Sequence, residues 1–253
     1  PVPTSPENGF HVTAEAIERA ITPRSRVLLL NTPSNPTGAV LSEKEIDAIG
    51  DVCERHDLWI ICDEVYADMT YDAPFCSPFD RKQLRHRTLA VSSISKSHAL
   101  PGFRAGWVAC PAAVTPRLVL VAEAMLFGSQ PFIEDALVAA LTEQHDEVQR
   151  MRVTYRERAQ VLVEAINGSD AVSARMPEGG MFVMVDVRAT KLSGEEFAWK
   201  LLDDHNIGVM PGESFGLGGA GHIRIALTVD ASVLRKACET IRTMAEALVA
   251  KAK

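Results

Sequence analysis

The sequence predicts an α/β protein: a partial, mainly parallel sheet wrapped by helices over residues 1–150, then a smaller α+β domain over 151–253. Three observations carry that expectation. Short apolar runs bounded by turn formers alternate with amphipathic segments through the first half, which suits parallel strands joined by crossover helices. Asn167-Gly168-Ser169 then punctuates the chain. Beyond it, strands and helices follow in an order that suits a compact α+β unit.

Residues 13–21 read as a short amphipathic helix, and the run Val27-Leu28-Leu29-Leu30 as a buried strand. Ser42-Glu43-Lys44-Glu45 is a capping box that opens a helix reaching about His56 and leading into a strand at Trp59. Strands are expected over 88–92 and 106–109, a helix over 112–125, and one or two helices over 131–166. The second half reads as strand 181–187, helix 195–205, strands 207–210 and 222–228, and helix 231–250. Ser193 and Asp230 are the natural caps of its two helices. Tyr155, Trp199 and the methionines Met176, Met181 and Met184 read as core packing.

At 253 residues with 47% apolar content, the chain can bury a sizeable core. A net charge of −7 argues against non-specific nucleic-acid binding. The five cysteines (Cys53, Cys62, Cys76, Cys110, Cys238) are scattered, odd in number and without Cys-x-x-Cys spacing. They read as reduced thiols, with neither a disulfide framework nor a metal site expected. No apolar run approaches a membrane span and no signal-peptide pattern is present, so a cytoplasmic protein is expected.

Four segments carry chemistry. Ser93-Ile94-Ser95-Lys96-Ser97-His98 continues through Ala99-Leu100-Pro101-Gly102 to Phe103-Arg104-Ala105-Gly106. It sets a lysine among hydroxyls with an arginine one short loop later, which suits a carbonyl cofactor that also carries a phosphate. A plain polar loop would read the same way. Asn31-Thr32-Pro33-Ser34-Asn35-Pro36-Thr37-Gly38 follows a strand, and its prolines either hold the Asn35 amide over a cleft or simply make a structural turn. Leu58-Trp59-Ile60-Ile61-Cys62-Asp63-Glu64-Val65-Tyr66 ends an apolar strand in two carboxylates, with a phenol three residues after the first. Asp63 could face a cationic ring nitrogen, or it could cap a helix with Glu64 in the first turn. In Gly221-His222-Ile223-Arg224-Ile225-Ala226-Leu227, alternation puts Arg224 on the face opposite Ile223 and Ile225. There it either meets solvent or grips a carboxylate in a bidentate fork.

Together and in this order, the four segments resemble the class I/II, fold-type I aminotransferases that use pyridoxal 5'-phosphate (PLP). The matches are Asn35-Pro36-Thr37-Gly38, Asp63 to Tyr66, Ser93 to Lys96 with Gly102 to Gly106, and Arg224. The resemblance implies the PLP-dependent transferase fold type I, with residues 1–150 as the C-terminal part of the large PLP-binding domain and 151–253 as the small domain. It implies that Lys96 is the Schiff-base lysine and moves a proton at the substrate α-carbon. Asp63 would partner the pyridinium nitrogen, Asn35 and Tyr66 the ring's 3'-oxygen, and Ser93, Ser95 and Arg104 the phosphate. Arg224, with Asn35, would hold the substrate α-carboxylate. A homodimer with shared active sites is implied as well.

Relative to that family, roughly another third of the chain is expected before Pro1. It would carry the first strands, a glycine-rich phosphate turn and a ring-stacking aromatic, so an incomplete sheet with an unpaired edge is expected here. The segments from Lys96 to Trp107, around Gly180-Met181-Phe182 and over Gly212-Glu213-Ser214-Phe215-Gly216, are similar to arginine–pyruvate transaminases. The expected reaction is transamination of an L-α-amino acid with a 2-oxo acid, arginine with pyruvate among the pairs. Glu178 or Glu213 could meet a cationic side chain, or be solvated or bound to backbone. Gly216 to Gly221 reads as a substrate-side loop, and His98 as structural. Two other functions share these residues: a cysteine-sulfur β-lyase, and the aminotransferase-like sensor domain of a transcription regulator. The latter needs an upstream DNA-binding domain.

Overall fold

The computed structural model describes residues 1–143 and 146–251. The chain forms two compact units. The first comprises residues 1–2, 12–33 and 40–151; the second comprises 3–11, 34–39 and 152–253. Two early segments, one of them carrying Asn35, thus pack in the second unit.

In the first unit, α1 (Ala14–Ala20) is capped by the Thr13 hydroxyl, and α2 (Glu43–Arg55) carries the full Ser42–Glu45 capping box. β1 (Val27–Asn31), β2 (Trp59–Asp63) and β3 (Thr88–Ser93) pair in parallel, and β4 (Gly106–Ala109) pairs antiparallel to β3. The sheet order β1-β2-β3-β4 follows the sequence, so β1 and β4 are its edges. Ile17, Ile46, Ile49 and Val52 close over Leu28, Leu30, Ile60 and Cys62 from one side. The single-turn helix α3 (Ile94–Ser97) follows β3 directly.

Helix α4 (Thr115–Leu126) starts three residues later than the expected 112. Pro116 lies in its first turn, the only place where a ring without an N–H costs the helix nothing. The expected helical stretch 131–166 is two helices, α5 (Pro131–Thr142) and α6 (Asp146–Ile166). Neither α4 nor α5 buries a residue.

The second unit is an antiparallel sheet of order β5-β6-β8-β7, made of β5 (Ser173–Ala174), β6 (Phe182–Asp186), β7 (Met210–Pro211) and β8 (His222–Ala226). Helix α7 (Gly194–His205) packs with it, and α8 (Ala231–Lys251) packs with α7 and the 3-10 turn Arg188–Thr190. Val183, Val185, Ile223 and Ile225 are buried, as are Phe197, Leu201, Leu234 and Ile241 from the helices.

Two expectations need correction. The strand expected over 207–210 is only Met210–Pro211, because residues 206–207 complete a helix end. Asn206 turns left-handed, and Ile207 N–H donates to Leu201 O at 3.4 Å. Trp199 is 58% exposed rather than core. The buried face of α7 runs through Phe197, Ala198 and Leu201, and a residue two beyond Phe197 points the other way. Of the three methionines, Met184 is buried while Met176 and Met181 are half-buried.

Candidate functional site

In the first unit the parallel strands end together. Asn31 pairs with Asp63, and Asp63 with Val91, so the carboxyl ends of β1, β2 and β3 share one edge. That edge is where open α/β sheets take ligands. Asp63 is the last residue of β2, and Lys96 lies in the helical turn that begins as β3 ends. Asp63 does not cap a helix. Its Oδ1 accepts from Val65 N–H at 3.2 Å, which bends the chain into the turn that delivers Tyr66, only 4% exposed. Asn31 Nδ2 donates to Asp63 O at 3.1 Å and ties the ends of β1 and β2.

Ser93 is the N-cap of α3, where its Oγ accepts from Ser95 N–H at 3.3 Å. A hydroxyl that accepts in this way still has its own hydrogen to donate. Ser97 Oγ lies 2.8 Å from His98 Nδ1, so His98 is engaged by its neighbour. Arg104 has left-handed backbone and donates from Nη1 to Pro101 O at 3.0 Å. Gly106 must be glycine. A Cβ there would lie 2.6 Å from Ser92 O, so the return strand could not approach the lysine turn so closely.

Glu64, which the sequence offered only as the first-turn residue of a helix capped by Asp63, is buried at 8% exposure. Its Oε1 accepts from Ser77 Oγ at 2.6 Å. Burial pushes its carboxyl up to about 7, partly opposed by hydrogen bonds from Ser77 and Cys62 and reinforced by Asp80 and Asp63. Nothing in the local sequence distinguished it from Asp63 except the apolar run before both.

In the second unit, Asn35 and Arg224 meet: Arg224 Nη1 donates to Asn35 Oδ1 at 2.8 Å. Both Thr32-Pro33 and Asn35-Pro36 are cis. Gly38, at φ +74°, could not carry a side chain, since a Cβ would lie 2.5 Å from Pro177 Cβ. The Gly38 carbonyl accepts from Glu178 and Gly179 N–H at 3.0 Å each, fixing the Asn35 turn. The Arg224 guanidinium lies 4.1 Å from the Phe182 ring centroid and 4.8 Å from that of Phe215. Sequence reasoning singled out the segments of both phenylalanines for their similarity to arginine–pyruvate transaminases but missed the stacking on the arginine, which depends on contacts between distant segments.

Both glutamates weighed for a cationic partner have partners within the second unit. Glu178 Oε2 lies 2.9 Å from His11 Nε2. Glu213 Oε1 accepts from Gly194 N–H and Gly221 N–H, each at 2.9 Å. Burial would raise the Glu213 carboxyl, but these amides, its own N–H and nearby His222 hold it below the usual range. Among the described residues no cluster of His, Cys, Asp and Glu could hold a metal, and no helix is long and apolar enough to cross a membrane.

A mainly parallel first sheet ending in this lysine turn, with a separate antiparallel unit carrying the arginine, defines a fold-type I α/β protein. The aminotransferase class I and II family model matches residues 1–241, and the chain belongs to that family. Its members use PLP. It is 44% identical over 252 residues to an arginine–pyruvate transaminase of Pseudomonas aeruginosa, covering 100% of this chain and 64% of that protein. An aromatic-amino-acid aminotransferase of Thermococcus litoralis is 32% identical, over 94% of this chain and 62% of its own length. The solved aromatic aminotransferase of Pyrococcus horikoshii superposes with a TM-score of 0.94 at 30% identity, over 97% of this chain and 66% of that one. The chain therefore spans less than two thirds of the curated relatives it matches here.

Proposed function

We propose that this chain carries the lysine-bearing part of a PLP-dependent aminotransferase. It would exchange an amino group between an L-α-amino acid and a 2-oxo acid, with arginine and pyruvate the first pair to test. The observation that carries this reading is the shared carboxyl edge of β1–β3, where Asp63 ends one strand and Lys96 follows the next. The similarity to the Pseudomonas arginine–pyruvate transaminase supports the choice of substrates.

The donor set fits PLP: an amine for its aldehyde, a carboxylate for its ring nitrogen, a phenol for its ring oxygen, and hydroxyls with a guanidinium for its phosphate. When bound, the cofactor supplies a sink for the electron pair left at the substrate α-carbon. Lys96 Nζ would hold the cofactor and, once released, carry the proton to and from that carbon. Asp63 would keep the ring nitrogen protonated by its charge. Tyr66 and the Asn35 amide would donate to the ring 3'-oxygen, and Ser93, Ser95 and Arg104 to the phosphate. Arg224, assisted by Asn35, would hold the α-carboxylate and so orient the bond that breaks. In this reading residues 1–150 are the C-terminal part of the large domain and 151–253 the small domain. The working protein is a cytoplasmic homodimer.

The test is to mix the chain with PLP, reduce with borohydride and determine intact mass and the modified peptide. A single adduct on Lys96, lost in Lys96→Ala, is the expected outcome. An adduct that persists in Lys96→Ala would sink the assignment. Assay of arginine with pyruvate then tests the substrate pair.

A further inference from the structure

The Glu213 carboxylate has no substrate-facing role in the reading above, yet it is among the most committed acids in the second unit. One oxygen binds two amides from different segments. Gly194 is the first residue of α7, so the carboxylate sits at a twelve-residue helix's N-terminus, where the dipole favours an anion. Gly221 directly precedes β8, the strand of Arg224. Glu213 itself belongs to the 3-10 turn Gly212–Phe215, whose last residue puts its ring 4.8 Å from the Arg224 guanidinium. One side chain thus ties the Phe215 turn, the start of the arginine strand and the start of α7.

The glycines around it are what that junction requires. A Cβ on Gly194 would meet both His222 O and Glu213 Oε2, and one on Gly212 would meet Gly219 O. No side chain fits at either position, so the carboxylate reaches its amides only because these residues lack one. The second ring, Phe182, stacks on the guanidinium from β6, and Asn35 accepts from it. Among the groups that hold Arg224, Phe182 comes from a strand, whereas Asn35 and Phe215 come from turns, and Glu213 belongs to the Phe215 turn.

We propose that Glu213 is a positioning residue for the carboxylate clamp: by pinning the Phe215 turn to α7 and β8, it fixes the plane in which Arg224 presents its fork. This inference rests on the reading of Arg224 as the carboxylate clamp. A planar guanidinium binds carboxylate well only in one orientation, and two rings with centroids 4.1 Å and 4.8 Å from it restrict the rotations that would spoil it.

The test uses propionate as a bare carboxylate probe and arginine side-chain NMR to follow its binding to the chain. Four proteins are compared: wild type, Glu213→Ala, Glu213→Gln and Arg224→Ala. A glutamine oxygen can accept from both amides, so Glu213→Gln should bind within about twofold of wild type, whereas Glu213→Ala should weaken binding about tenfold. Arg224→Ala should abolish it. Wild-type affinity in Glu213→Ala, with binding lost in Arg224→Ala, overturns the positioning role and leaves the clamp standing. Undiminished binding in Arg224→Ala overturns the clamp and this inference with it. Should Glu213→Ala fail to fold, Phe215→Leu carries the test, because it keeps apolar volume and loses the ring. It should weaken binding to a similar degree, and unchanged affinity there would equally overturn the proposal.

Discussion

Glu64 and Glu213 each lie near a proposed site residue, Glu64 beside Asp63 in the chain and Glu213 in the turn whose Phe215 ring lies by Arg224, and their electrostatics are opposite. Glu64 follows Asp63 into an apolar interior, where its oxygen meets the Ser77 hydroxyl and the neighbouring acids are Asp63 and Asp80. Its carboxyl is pushed up to about 7. Glu213 is also penalised by burial, but two backbone amides of other segments and a helix N-terminus meet it, and its carboxyl is held low. Desolvation raises a carboxyl in both places, and the number and kind of donors decides the net direction. The lysine side of the molecule therefore carries an acid that holds its proton near neutrality, and the arginine side an acid that is a fixed anion.

The largest consequence concerns Glu64. Its folded value of about 7 lies above the model-peptide 4.5, so between those values the folded chain holds a proton that the unfolded chain has lost. Stability must then fall as pH rises through that window, by on the order of 3 kcal/mol in total. Glu64→Gln should flatten this limb in a denaturation series from pH 4 to 9, leaving the variant more stable than wild type at pH 8. An unchanged limb would mean that another group causes it.

Ser77→Ala sharpens the same point, because it removes the hydroxyl that favours the charged form. Leaving Glu64 Oε1 without that donor should cost about 1–2 kcal/mol at pH 8, and the limb should extend to higher pH. A smaller effect of opposite sign is expected at Glu213. A lowered carboxyl contributes stability above its unfolded value and loses it as pH falls through the folded one. Glu213→Gln should therefore be less stable than wild type at neutral pH and converge with it as pH falls, which flattens the acid limb of a Tm series from pH 7 to below 5. A deficit that persists undiminished at low pH would contradict the charge argument.

What the sequence revealed was what neighbours in the chain decide. The Ser42–Glu45 capping box, the Ser193 cap that opens α7 and the strand leading into the Lys96 turn were all legible because a cap or an apolar run is a local event. So was the face of β8 that Arg224 occupies, since alternation alone separates it from Ile223 and Ile225. The rest depends on contacts between distant residues. Phe182 and Phe215 stack on Arg224 through strand pairing and the junction at Glu213, neither of which has a spacing signature. The burial of Glu64 had no local signal, because its partner, Ser77, lies thirteen residues away at the cap of a 3-10 turn. Trp199 was misjudged because an apolar residue type outweighed its position on the helix face.

The two sheets differ as much as the two glutamates. β6 is buried along Phe182 to Val185, whereas β1 buries Leu28 and Leu30 and leaves Leu29 72% exposed. Helices α4 and α5 are apolar in sequence and bury nothing, with Met125 at 72% exposure and Leu120 at 62%. Burial, not residue type, sets what a substitution costs. Met125→Ser should therefore change the unfolding free energy of the dilute chain by no more than about 0.5 kcal/mol, the range for exposed positions. The same change should lower self-association, because contiguous apolar surface of this kind drives it. Denaturation at two protein concentrations separates these effects. A loss well above 0.5 kcal/mol that grows with concentration would show that the α4 face is covered by a second copy in solution, and the contrast between the two units would then hold only for the isolated chain.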